Sequence, residues 1–175
     1  MATSSSDFRD YAIATIGSHT SLQILHGAKQ EGFRTICVCE KNSAAFYRSY
    51  NLADEIIVVD SFKDFSKIEK QLIAKNAIII PHGSFVSYLG PERVQKLKAM
   101  HCGTKKVLEH EADREKQRKW LLKAGLRLPK IYRNPKKIDR AVIVKFHGAK
   151  GGMGYFIART PEEFEERIKE YRNQP

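Results

Sequence analysis

Between residues 11 and 80 the chain alternates two hydrophobic periods. Four short runs rich in isoleucine and valine (residues 11–16, YAIATI; 35–39, TICVC; 55–59, EIIVV; 77–80, AIII) have little polar interruption. Such runs fit strands covered on both faces, as in a parallel sheet. The segments between them have a helical period. Leu22, Leu25, Ala28 and Lys29 share one face, and Gly32 reads as the C-cap that closes the helix. Ser61 followed by Asp64 reads as a capping box opening the third helix. The order β-α-β-α-β-α-β, with right-handed crossovers, predicts an open doubly wound parallel sheet.

The pattern changes after Gly90. Residues 92–100 are charged and amphipathic, and Cys102-Gly103-Thr104 interrupts them. A helix capped by Asp113 runs through Trp120-Leu121-Leu122 to Ala124, where Gly125 and then Pro129 stop it. Residues 141–146 (AVIVKF) and 155–158 (YFIA) are strands around a glycine-rich turn. Thr160-Pro161-Glu162-Glu163 opens a last helix with a cap, a proline at the first position and a box glutamate. The change of pattern divides the chain into residues 1–103 and 104–175.

Composition adds an electrostatic asymmetry. The 175 residues carry 31 Lys and Arg against 20 Asp and Glu, a formal charge of +11. Residues 1–90 are balanced at nine of each, so the whole excess lies in residues 91–175. A basic half points to nucleic acid, to a phosphorylated small molecule, or to nothing beyond solubility, and composition alone favours none of these. With 42% hydrophobic and 29% charged residues, the composition is that of a core-forming chain and disfavours disorder. No apolar run approaches the roughly 20 residues of a membrane span, and the first residues lack a basic and apolar leader. Cys37, Cys39 and Cys102 cannot all pair, which points to a reduced, cytoplasmic protein.

Three segments carry candidate chemistry. Gly17-Ser18-His19-Thr20-Ser21 joins the first strand to the first helix, at the sheet edge where open α/β folds bind ligands. A helix N-terminus there offers N–H groups to an anion, and Ser18, His19 and Thr20 add donors. The plain alternative is that Ser18 or Thr20 only caps the helix. Pro81-His82-Gly83-Ser84 leaves the fourth strand on the same edge, so both loops should meet one ligand. Gly83 permits close backbone approach, and His82 and Ser84 are donors to phosphate or ribose oxygens. The third segment is Lys145 on an apolar strand, followed by Phe146-His147-Gly148-Ala149-Lys150-Gly151-Gly152-Met153-Gly154. Four glycines within seven residues, between two strands, describe a hairpin lid whose N–H groups line phosphates while Lys145 and Lys150 neutralise them.

Other features read as structural. Cys37 and Cys39 share one face of a strand and fit small core residues. His101, Cys102 and His110 match no tetrahedral zinc spacing. The basic stretch 116–123 around Trp120 fits a solvated helix face.

Taken in order, TIGSHTSLQILHGAKQEGF, IIIPHGSFVSYLG, EADREKQRKWLLKAGLRLPK and VIVKFHGAKGGMGYFIA resemble the archaeal formate-dependent 5-formaminoimidazole-4-carboxamide ribonucleotide (FAICAR) synthetases. These are ATP-grasp ligases of purine biosynthesis. The resemblance runs from about Tyr11 to the end of the chain. It implies a pre-ATP-grasp α/β domain over residues 1–103 that binds the aminoimidazole carboxamide ribonucleotide (AICAR). Residues 104–175 are then the start of an ATP-grasp small domain with its glycine-rich β-hairpin lid. By this match His19 and Ser84 contact the ribonucleotide, and Ser18, Thr20, His82 and Gly83 line the same pocket. Lys145, Arg114, Lys150 and the lid glycines Gly148, Gly151, Gly152 and Gly154 hold ATP.

The implied reaction activates formate with ATP and magnesium and formylates AICAR through formyl phosphate, with no protein nucleophile. The family is longer, and the resemblance implies that its C-terminal ATP-grasp domain is absent here, together with the acidic magnesium ligands; no metal ligand is expected within this chain. It also implies association as homo-oligomers or with a C-terminal half. Two other readings stay open: a non-catalytic ribonucleotide-binding module and a nucleic-acid-binding protein. No aromatic-rich strand pair or recognition helix supports the latter, so neither nucleic acid nor membrane is an expected partner.

Overall fold

A computed structural model describes residues 10–146 and 154–172, which fall into two compact units divided between Trp120 and Leu121. The first unit opens with β1 (Ala12–Ile16), α1 (Ser21–Gln30), β2 (Arg34–Glu40), α2 (Ala44–Tyr50), β3 (Glu55–Val59), α3 (Phe65–Ala74) and β4 (Ala77–Ile79). Short elements follow: α4 (Phe85–Leu89), α5 (Pro91–Lys96), β5 (Met100–His101) and α6 (Lys105–Ala112). All five strands are parallel, in the order β3-β2-β1-β4-β5, which bears out the expected doubly wound sheet. The chain adds strands to one side of β1 and then to the other, so the strand order reverses between β1 and β4.

The apolar runs are continuous because alternate residues serve two cores. Ala12, Ala14, Ile16, Ile36, Val38, Ile57 and Val59 face one core with Phe65 and Leu72 of α3 and Phe85 of α4. Cys37 and Cys39 face the other, with Leu25 of α1 and Tyr47 of α2. Both cysteines are fully buried, as expected of core residues, and burial, helped by the neighbouring Cys39, pushes the Cys37 thiol up to about 12.

Helix α1 closes as the sequence implies. Gly32 adopts φ +83°, its N–H donates to the Lys29 carbonyl, and Phe33 N–H donates to the Ala28 carbonyl. The start of α3 is different from the expected box. Ser61 Oγ accepts from Lys63 N–H, but it caps a short 3-10 turn, Phe62–Asp64, that leads into α3. Asp64 pairs instead with Lys67 at 2.9 Å.

Residues 92–100 are also not one segment. Helix α5 ends at Lys96, and Met100–His101 pair with Ile78–Ile79 as a two-residue fifth strand. The open edge of β4 supplies the hydrogen-bonding groups that such a short strand cannot find within itself. Helix α6 follows, packed on α4 and α5. Helix α7 (Arg114–Lys123) starts where Asp113 accepts from the amides of Glu115 and Lys116. The division between the two units falls inside α7, beyond the change of pattern near Gly103.

In the second unit β6 (Val142–Lys145) and β7 (Tyr155–Ala158) form an antiparallel hairpin, and α8 (Pro161–Arg172) covers one face, with Phe164 against Phe156. Thr160 Oγ1 accepts from Glu163 N–H, while the Glu163 carboxylate accepts from Arg159 N–H, which completes the expected helix start.

Candidate functional site

Loops leaving β1 and β4 emerge side by side at the reversal of strand order, where an open α/β sheet leaves a crevice. Their bases are tied beyond the strand ladder. Ile80 N–H donates to the Ala14 carbonyl at 2.8 Å, and the Thr15 hydroxyl donates to the Ile80 carbonyl at 2.9 Å.

On the β1 side, Gly17 N–H donates to the Val38 carbonyl, which pins the loop against β2. Ser18 is half-buried and donates its hydroxyl to Tyr88 Oη at 3.1 Å. His19 is exposed and takes φ +40°, a left-handed conformation that costs a non-glycine residue energy and is enriched at functional loops. Thr20 is exposed, and its side chain makes no capping bond to α1. Neither Ser18 nor Thr20 therefore acts as the simple helix cap. Ser21, the first residue of α1, is buried with its hydroxyl 3.1 Å from Tyr47 Oη.

On the β4 side, Gly83 is exposed with open space where a Cβ would stand. Ser84 precedes α4, and its side chain makes no capping bond. The His19 and His82 rings lie 6.2 Å apart between centroids. The structure thus brings Ser18, His19, Thr20, His82, Gly83 and Ser84 to one edge.

His82 differs from its expected part as a donor to a ligand. It is only 7% exposed, and both ring nitrogens are occupied within the protein. Nε2 lies 3.2 Å from the Ile16 carbonyl, and Nδ1 accepts from the Ser84 amide at 3.2 Å. Burial and the nearby His19 hold its pKa below the ordinary histidine value, against the opposing effect of the Ile16 carbonyl.

Tyr47 and Tyr88 were not anticipated as part of this edge. Tyr47 reaches it only through the packing of α2 on the sheet. Tyr88 had one available signal, its position four residues after Ser84, which puts both on one side of a helical turn.

The remaining expected site residues stand apart in the chain. Arg114 is exposed at the first position of α7 in the first unit. Lys145 is exposed at the end of β6 in the second unit, opposite Tyr155. Phe146 N–H donates to the Gly154 carbonyl, and Gly154 takes φ +79° where the chain re-enters the hairpin. Gly148, Lys150, Gly151 and Gly152 lie outside the described residues. Among the described residues no group of three or more His, Cys, Asp and Glu is placed to hold a metal, and no helix is long and apolar enough to cross a membrane.

Residues 13–132 match the family described as protein of unknown function (DUF1246). The chain belongs to this family. Over 164 residues, 93% of this chain, it is 51% identical to the 5-formaminoimidazole-4-carboxamide-1-(beta)-D-ribofuranosyl 5'-monophosphate synthetase of Methanococcoides burtonii, of which it covers 46%. Among solved structures, it is similar to the IMP biosynthesis protein PurP from Thermococcus kodakaraensis, with a TM-score of 0.62 and 36% identity over 75% of this chain and 43% of that one. The fold is shared with N5-carboxyaminoimidazole ribonucleotide synthetase from Thermotoga maritima, at a TM-score of 0.63 and 19% identity over 89% of this chain and 43% of that one. The resemblance to FAICAR synthetases read from the four motif segments is borne out by these relatives. The DUF1246 chain spans about half the length of the curated relatives it matches.

Proposed function

We propose that this chain is the ribonucleotide-binding half of a formate-dependent AICAR ligase. The observation that carries the reading is its 51% identity, over nearly its whole length, to a synthetase named for the formylated ribonucleotide. The paired loops at the strand reversal support it, because they gather hydroxyl and imidazole donors beside the N-terminus of α1.

In this reading His19 and Ser84 contact AICAR, with Ser18, Thr20 and Gly83 beside them and His82 behind them. A formate oxygen attacks the γ-phosphorus of ATP, ADP leaves, and formyl phosphate results. The 5-amino nitrogen of AICAR then attacks the formyl carbon, phosphate leaves, and the nitrogen loses a proton to give FAICAR. No side chain forms a covalent bond. The protein positions the reactants and offsets phosphate charge, and in this chain Lys145, Arg114, Lys150 and the glycine-rich segment from Gly148 to Gly154 take that part. Magnesium, implied with ATP, is assigned no ligand among the described residues. The rest of the ATP site belongs to the portion of the relatives that this chain does not span, supplied by a continuing or associating polypeptide.

The test is a fusion of this chain to the part of the Methanococcoides burtonii relative that it does not span. Given ATP, magnesium, formate and AICAR, the fusion should form FAICAR, and the 175-residue chain alone should not. A folded fusion without activity, beside an active full-length relative, would overturn the proposal.

A further inference from the structure

The His82 ring touches both loops of the crevice, and its partners leave it one chemical state. The Ile16 carbonyl, 3.2 Å from Nε2, only accepts. The Ser84 amide, 3.2 Å from Nδ1, only donates. Both bonds exist together only in the neutral imidazole with its hydrogen on Nε2. Ile16 ends β1 directly before the Gly17–Thr20 loop, and Ser84 carries the hydroxyl at the mouth of the second loop. Phe85 N–H donates to the His82 carbonyl at 2.8 Å, so the backbone of this loop folds around the same residue.

We propose that His82 is a positioning residue: its neutral ring latches the β1 loop to the β4 loop and sets the placement in which His19 and Ser84 meet one anionic ribonucleotide. Protonation releases the latch, because a second N–H then faces the Ser84 amide and neither can accept. His19, the titratable group facing the ring from the β1 loop, adds repulsion to that protonated form, while burial opposes it more strongly. The identity of the ligand rests on the proposed function; the latch itself does not.

Two substitutions divide the latch. In His82→Asn the side-chain oxygen replaces Nδ1 as acceptor for the Ser84 amide, and the bond to Ile16 is lost. In His82→Gln the amide nitrogen replaces Nε2 as donor to Ile16, and the Ser84 bond is lost. Each folded variant should bind AICAR about tenfold more weakly than the wild type, and His82→Ala more weakly still, by calorimetry. Wild-type affinity should fall more steeply than that of His82→Asn as pH drops below about 6.5, the window in which a histidine held below its ordinary value takes up its proton.

Nitrogen NMR of the unliganded wild-type chain supplies the arm independent of ligand. It should show hydrogen on Nε2 at neutral pH, and faster exchange of the Ser84 amide as His82 protonates. Hydrogen on Nδ1, Ser84 exchange indifferent to His82 titration, or wild-type affinity in both folded variants would each overturn the latch. If the wild-type chain fails to bind AICAR at any pH, the proposed function falls, and NMR still decides the latch.

Discussion

Gly17 lies hard against the ring of Tyr47: a β-carbon at Gly17 would stand 2.5 Å from Cε2 and 2.9 Å from Cζ. Cys39 Cβ, at 2.8 Å, closes the other side. This approach brings Tyr47 Oη to the buried Ser21 hydroxyl at 3.1 Å, at the start of the helix that faces the crevice.

Gly17→Ala should therefore force Tyr47 out of its seat. The expected loss is about 1–3 kcal/mol, the range for an added methyl in a packed site. Urea denaturation of the wild type and the variant reads it directly. An unchanged midpoint would mean that the ring yields without cost.

His19→Ala and Ser84→Ala should each weaken AICAR binding by roughly 1.5–3 kcal/mol, the scale of a hydrogen bond to a charged group. Calorimetry on the wild type and the two variants at one salt concentration measures the effect. Three equal affinities would move the ribonucleotide away from this edge.

Stability should fall on mild acidification. Burial holds His82 and His101 below the ordinary value of 6.5, although the Ile16 carbonyl and the Gly103 carbonyl, respectively, act against it. A lowered histidine pKa means that the unfolded chain takes up the proton first. The stabilisation is whole above about pH 6.5 and is lost as pH falls from there toward the native values, at a rate of at most about 1.4 kcal/mol per pH unit for each histidine. Urea midpoints across this window should drop for the wild type and flatten when both are changed to Gln.

Lys145→Ala should separate turnover from ribonucleotide affinity in the active fusion. Lys145 is exposed at the end of β6, and in the proposed reading it contacts ATP phosphates while His19 and Ser84 contact AICAR. Turnover should fall roughly a hundredfold, as on loss of one electrostatic partner of a developing charge, with AICAR affinity little changed. Parallel loss of both would assign Lys145 a general structural part.

Four of the five parallel strands were legible in the chain because each is long enough for an apolar run to show burial on both faces. The end of α1 was equally plain, since Gly32 alone there tolerates φ +83° cheaply. The fifth strand was not: Met100–His101 is too short for any periodicity and exists because β4 presents an open edge. The two loops were recognisable as motifs, and their arrival at one edge followed from the order of elements.

The sequence by itself thus determined four strands of the sheet, the connections among them and the side chains available where the strand order reverses, because hydrophobic period, capping and glycine placement act over a few residues. Only the tertiary structure decided how those side chains are used. Ser18 turned to Tyr88 and not to its own helix, Tyr47 closed over Gly17, and His82 spent both nitrogens on Ile16 and Ser84. The physical reason is burial. A hydrogen-bonding group removed from water must find a partner wherever the fold brings one, and such partners lie far apart in the chain.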